Sequence, residues 1–135
     1  MVQHSEIVNA PLEKVWEQLI YKIYNPENFV PGVSDVEIME KNENFVIRQM
    51  KINKEGRTSI LKEKITFIPY KVRFLLLEHS SIEGYVDNDI QAISANETEM
   101  TFTINWMDKT TKNEINDFEM VKNALIKTKK FIEKN

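Results

Sequence analysis

The sequence predicts an α+β chain. A curved antiparallel sheet of about seven strands wraps around a long C-terminal helix, with two short helices after the first strand. Three observations lead there. Apolar residues change their spacing twice, from helical to alternating and back to helical. The breaks between the alternating segments are too short for parallel crossovers, so consecutive strands must pair antiparallel. Glycine and proline are scarce, three and four in 135 residues, so most of the chain should be regular structure.

The opening Val2–Val8 reads as a strand leading into Asn9-Ala10-Pro11. Pro11 suits the first position of a helix, where a missing N–H is no loss. Beyond it Leu12, Val15, Trp16, Leu19, Ile20 and Ile23 fall on one helical stripe. Asn25-Pro26-Glu27 repeats that start grammar and predicts a second, very short helix carrying Phe29 and Val30, stopped by Pro31-Gly32. Alternation then gives strands at Val36–Glu40, Phe45–Ile52, Thr58–Phe67, Val72–Glu78, Tyr85–Ile93 and Glu99–Met107. Turn residues such as Asn53-Lys54-Glu55-Gly56 and Ser94-Ala95-Asn96-Glu97 separate them. The last stretch, about Lys112 to Lys134, is a helix with Ile115, Phe118, Val121, Leu125 and Ile132 on its stripe and a capping box at Thr111 and Glu114. An eight-stranded barrel would not place two helices between its first two strands. A cone-shaped fold with its helices at the front would lack the long closing helix. The order of elements points instead to a helix-grip arrangement, one domain over residues 1–135.

Composition narrows the function. Lys and Arg total 18 against 21 for Asp and Glu, a net charge of -3, which argues against nucleic acid as a partner. There is no cysteine, so disulfides, thiol catalysis and thiolate metal sites are excluded together. His4 and His79 are far apart in sequence, and His79 falls in a turn, so neither suggests a metal site or a general base. No segment approaches the roughly 20 apolar residues that span a bilayer, and no apolar leader opens the chain. The expectation is a cytoplasmic protein without membrane insertion, metal or cofactor. The oligomeric state is left open.

Several segments resemble a known superfamily. The stretch Ile7-Val8-Asn9-Ala10-Pro11-Leu12-Glu13-Lys14-Val15-Trp16-Glu17-Gln18-Leu19 is similar to the common start of the START and birch-pollen-allergen-like domains grouped as SRPBCC. Tyr24-Asn25-Pro26-Glu27-Asn28-Phe29-Val30-Pro31-Gly32, Phe45-Val46-Ile47-Arg48 and Leu61-Lys62-Glu63 resemble the AtaL-like domains of unknown function within that group. The resemblance covers essentially the whole chain. It implies a helix-grip fold with an internal cavity, in a superfamily that binds lipids, polyketides, sterols and other apolar molecules. It does not imply a reaction, because carriers, cyclases and proteins of unknown role share the fold.

Alternation also assigns the inner face. Met100, Phe102, Ile104 and Trp106 point inward from the last long strand, and the Ser94–Glu97 turn sets Ile90, Asn88 and Val86 opposite the first three. Closing the earlier hairpin around Lys54-Glu55 pairs Arg48 with Leu61 and Val46 with Glu63, with Met50, Ile52, Ile65 and Phe67 on the same face. Continuing over Pro69-Tyr70 sets Phe67 against Val72, Ile65 against Phe74, Glu63 against Leu76 and Leu61 against Glu78. Arg48, Glu63 and Glu78 are then charges on an apolar face, where they must cluster. Two readings stand: a polar anchor for a ligand, or a structural ion-pair group.

Candidate ligand contacts are therefore Arg48, Glu63 and Glu78, with Met50, Phe74, Asn88, Phe102 and Trp106 around them. Phe29 is added from the segment Asn25–Val33 at the mouth, and Phe118 from the C-terminal helix. The expected partner is a small apolar or amphipathic molecule. An aromatase/cyclase-like enzyme orienting an enol with Arg48, Glu63, Tyr85 or Asn88 is the alternative from a different class. A protein-interaction module with a side-chain-filled interior is a third.

Overall fold

The computed structural model describes residues 1–135. Strand β1 (Val2–Val8) leads to helix α1 (Leu12–Tyr24), a single 3₁₀ turn (Pro26–Asn28) and strand β2 (Val33–Lys41). Strands β3 (Phe45–Lys54), β4 (Arg57–Ile68), β5 (Lys71–Glu78), β6 (Ile82–Ser94) and β7 (Glu97–Asp108) follow. A two-residue strand β8 (Glu114–Ile115) and helix α2 (Phe118–Lys134) complete the chain. The sheet runs β1-β7-β6-β5-β4-β3-β2, and every neighbouring pair is antiparallel. This is the expected curved sheet with a long closing helix.

The second short helix is reduced to one 3₁₀ turn, because the chain must at once enter β2. Gly32 sits there at φ 80°, and a Cβ on it would lie 2.2 Å from the backbone oxygen of Asn53. Only glycine lets β2 approach β3 so closely. Its carbonyl accepts from the Asn53 N–H at 2.8 Å, which fixes the start of that pairing.

One of the expected registers holds as stated, and a second holds over its first three pairs. Across β6 and β7, Ile90, Asn88 and Val86 face Met100, Phe102 and Ile104. Across β4 and β5, Phe67, Ile65 and Glu63 face Val72, Phe74 and Leu76. The β3–β4 hairpin is different. It closes at Glu55-Gly56, both with positive φ (54° and 77°), the two-residue turn that matches strand twist. Arg48 therefore lies directly opposite Glu63, Met50 opposite Leu61 and Val46 opposite Ile65. The pairing moved by two residues, so every side chain kept its face. A bulge between Lys62 and Glu63 then sets Glu78 against Lys62 rather than Leu61. That single-residue offset carries Glu78 away from the inner face.

The capping box at Thr111 and Glu114 does not form. Glu114 and Ile115 instead pair with Met107 and Trp106 of β7, and α2 starts at Phe118. Asp117 caps it by accepting the Met120 N–H at 3.1 Å. The helix buries Val121, Leu125, Thr128 and Ile132, and Thr128 satisfies its hydroxyl on the Ala124 carbonyl at 2.9 Å. Val15, Leu19 and Ile23 of α1 join the same core. Each such aliphatic side chain contributes roughly 1.5–3 kcal/mol on burial. No helix is long and apolar enough to cross a membrane.

Candidate functional site

Part of the interior is solid: Val8, Val15, Leu19, Ile65, Val72 and Leu125 are almost fully buried, and none of them lines the cavity. Toward α2 and the 3₁₀ turn the sheet and helix stand apart. They enclose a cavity of about 210 Å³, floored by Met50, Leu61, Phe74, Phe102 and Trp106 and roofed by Met120, Val121 and Ala124. Pro26 and Val30 border it where the chain leaves α1. Curvature creates this space, because a strongly bent sheet cannot stay in contact with a straight helix along its whole length.

Four polar side chains meet inside the apolar wall. Arg48 of β3 is 3% exposed, and its guanidinium donates to Glu63 Oε1 at 2.6 Å and to the Ile23 carbonyl at 2.7 Å. That carbonyl lies in the last turn of α1, where backbone oxygens lack helical partners. Lys22 of α1 extends into the cavity and donates to Asn88 Oδ1 at 3.1 Å. Its ammonium lies 4.3 Å from the centre of the Phe102 ring and 5.5 Å from that of Phe74, within cation–π range of both. Arg48 sits 5.7 Å from the same Phe74 ring. Removal from bulk water and, secondarily, the Arg48 charge lower the Lys22 pKa to about 7, with Glu63 opposing. The side chain keeps a little surface, which faces the cavity. Near neutrality the amine is thus shared between its charged and neutral forms, able to hold an anionic or carbonyl oxygen in the first and to accept a proton in the second.

Residues 5–133 match the AtaL family, described as acetylaranotin biosynthesis cluster protein L. The chain belongs to the AtaL family. No curated protein matches it. Among solved structures it is similar to the Zhui aromatase/cyclase from a Streptomyces species, with 15% identity, a TM-score of 0.70, and coverage of 96% of this chain and 84% of that one. It is similar to Ara h 8.0201 at 13% identity and a TM-score of 0.69, over 98% of this chain and 97% of that one. A START superfamily protein from Mycobacterium smegmatis matches at 12% identity and a TM-score of 0.65, covering 98% and 93%. At these identities the likeness establishes the START and birch-pollen-allergen-like fold and nothing finer.

Within this AtaL-family fold the predicted site residues divide clearly. Arg48, Glu63, Met50, Phe74, Asn88, Phe102 and Trp106 all line the cavity. Glu78 does not: it projects outward, 67% exposed, with Lys62 Nζ 3.9 Å away. Phe29 is buried just behind the mouth, 4.5 Å from the Phe131 ring, and does not reach the cavity. Phe118 is 43% exposed with its ring edge against His4, because α2 begins there instead of six residues earlier. Tyr85 lies on the opposite sheet face, stacked 3.9 Å from the Arg73 guanidinium, so it cannot orient anything inside. His79 is a turn residue whose Nδ1 accepts the Ser81 and Ile82 N–H groups at 3.1 and 3.0 Å. No group of three or more His, Asp or Glu side chains is placed to hold a metal ion.

Lys22 is absent from the residues predicted above, although a signal existed. It stands three residues after Leu19 and seven after Val15, on the inward stripe of α1. A lysine on an apolar stripe is a buried polar group in waiting. Near the C-terminal end of a helix, however, a lysine also reads as an ordinary complement to the dipole.

Proposed function

We propose that this AtaL-family chain is a cytoplasmic, single-domain binding protein that holds one small apolar or amphipathic molecule between its sheet and α2. The observation that carries the reading is the cavity itself: an apolar wall with a few convergent polar groups, the usual layout of a small-molecule site. An apolar cavity of about 150 Å³ is enough for benzene. The cavity here, about 210 Å³, suits a molecule of one or two rings, or a short chain, better than a long lipid. Arg48, Glu63, Asn88 and Lys22 supply the polar end, and Phe74, Phe102 and Trp106 the flat walls. An interior of this size also favours a small molecule over a protein-interaction module with its core filled.

A catalytic role, the second reading, draws on one specific feature. A lysine amine that is partly neutral at physiological pH beside a fixed guanidinium can exchange a proton with an enolisable carbonyl compound. The binding role comes first because it requires only the cavity and the polar groups that line it.

The test uses 2-naphthol as a neutral amphiphile. The native protein should bind it in a one-to-one titration, and Leu61→Trp, which fills the cavity floor, should abolish binding while keeping a cooperative thermal transition. Equal binding by both proteins, or by neither, would contradict the proposal.

A further inference from the structure

The polar end of the cavity is unbalanced in a way that specifies its ligand. Arg48 gives one N–H to Glu63 and one to the Ile23 carbonyl, yet its Nε has no partner. The Asn88 amide nitrogen and the Trp106 indole nitrogen are likewise buried without partners. All three belong to residues lining the cavity, as does Lys22, whose amine has Asn88 Oδ1 as its one hydrogen-bond acceptor. The three buried positions without partners are all N–H donors, and one oxygen of the single carboxylate nearby, Glu63, is already committed to Arg48. Buried donors left without acceptors are costly, so the missing component is an acceptor.

Charge points the same way. Arg48 and Glu63 cancel as a pair. Lys22 is left as the one group in the cavity whose charge has no counter-ion of its own. The groups facing it confirm the count: Arg48 from β3 and Glu63 from β4 are the titratable ones. From β5, β6 and β7 it meets Phe74, Asn88 and Phe102, and α2 contributes Met120, Val121 and Ala124 to the same cavity.

We propose, building on the binding role above, that the cavity is made for an amphipathic anion: an apolar body of one or two rings bearing a carboxylate or enolate, its oxygens held by Lys22, Asn88 and Arg48. The anion supplies both the missing acceptor and the missing negative charge. Its entry is coupled to a proton. Above neutrality the Lys22 amine is mostly uncharged. A carboxylate beside it favours the ammonium, so Lys22 takes one proton from the solvent buffer as the complex forms, and no covalent bond joins protein and ligand. The complex is then neutral at that end.

The experiment compares three ligands of matched shape by calorimetry at pH 8: 2-naphthoate, 2-methylnaphthalene and 2-naphthylmethylammonium. The expected result is that the native protein prefers naphthoate over the hydrocarbon by about tenfold or more and rejects the cation. A series of buffers with different ionisation enthalpies should show about one proton taken up per naphthoate bound. Lys22→Met should lose the preference and the uptake but keep the hydrocarbon. Lys22→Arg, with a permanent charge, should keep the preference and lose the uptake. Equal affinity for naphthoate and hydrocarbon, or anion binding without proton uptake in the native protein, would overturn the inference and leave the binding role standing. Failure of all three ligands to bind would overturn the binding role itself, and the inference with it.

Discussion

Asp87 and Asn88 are neighbours in β6, and they face two polar clusters on opposite sides of one sheet. On the outer face Asp87 accepts from Arg73 Nε at 2.8 Å and from its terminal nitrogen at 2.9 Å, with Lys71 at 3.5 Å. Tyr85 stacks beneath that guanidinium, and Asp89 lies 3.8 Å from Lys71. Asp87 keeps the Arg73 proton more tightly bound than usual. Each charge there has an opposite neighbour, and water reaches the rim. On the inner face Asn88 meets Lys22, and Arg48 meets Glu63, but three nitrogen donors have no partner and the lysine has no acid of its own. The outer cluster is complete as it stands. The inner one is not, and the proposed ligand is what would complete it.

Substitutions can break or sharpen this contrast. The largest effect is expected from Arg48→Ala. It strands the Glu63 carboxylate in apolar surroundings and should cost about 3–5 kcal/mol in denaturant titrations. The double substitution of Arg48→Met with Glu63→Leu should recover most of that loss, because the cost lies in leaving one charge alone rather than in losing the pair. Equal destabilisation by the single and the double variant would put the inner pair in the same class as an outer one.

Next in size, and opposite in sign, is Lys22→Met. The folded protein lowers this lysine from 10.5 to about 7, so between those pH values the unfolded chain binds the extra proton and the folded one does not. Stability from this group therefore rises with pH through that window and is lowest below it. Removing the amine should stabilise the fold at pH 7 by about 1–3 kcal/mol and flatten the dependence of stability on pH between 7 and 10. A destabilised variant with an unchanged pH slope would mean that Lys22 is an ordinary solvated cation.

The smallest effect belongs to the outer cluster. Arg73→Ala removes a side chain that is 40% exposed and leaves Asp87 within reach of Lys71 and water. The loss should be about 1 kcal/mol or less and should shrink further at high salt. Ligand binding should be untouched, since the cavity lies across the sheet.

Much of the fold was legible because two periods are hard to confuse. Helical spacing marked α1 and α2, and alternation marked the strands and their inward faces, down to Asn88 opposite Phe102. The errors arose where a local backbone choice sets the count. Glu55 and Gly56 both adopt positive φ, which moved the β3–β4 pairing by two residues and turned an expected diagonal contact into the direct Arg48–Glu63 pair. A bulge at Lys62 is invisible to alternation, and it carried Glu78 out of the cluster. Asp117 competed successfully with Thr111 as a helix cap, which left Phe118 at an exposed helix start. Lys22 shows the other kind of failure. Its position on the stripe was readable, but its importance depends on the gap between sheet and helix, and no residue pattern encodes that gap.

The most direct test of the account follows the six methionine methyl groups by NMR as 2-naphthol is added. Met50 and Met120 line the cavity, Met100 is fully buried in the core, and Met1 and Met39 are exposed and do not line it. Saturable shifts at Met50 and Met120, with Met1 and Met39 unmoved, are the predicted result. Shifts confined to the exposed methyls, or none at Met50 and Met120 at saturating ligand, would contradict a binding cavity between the sheet and α2.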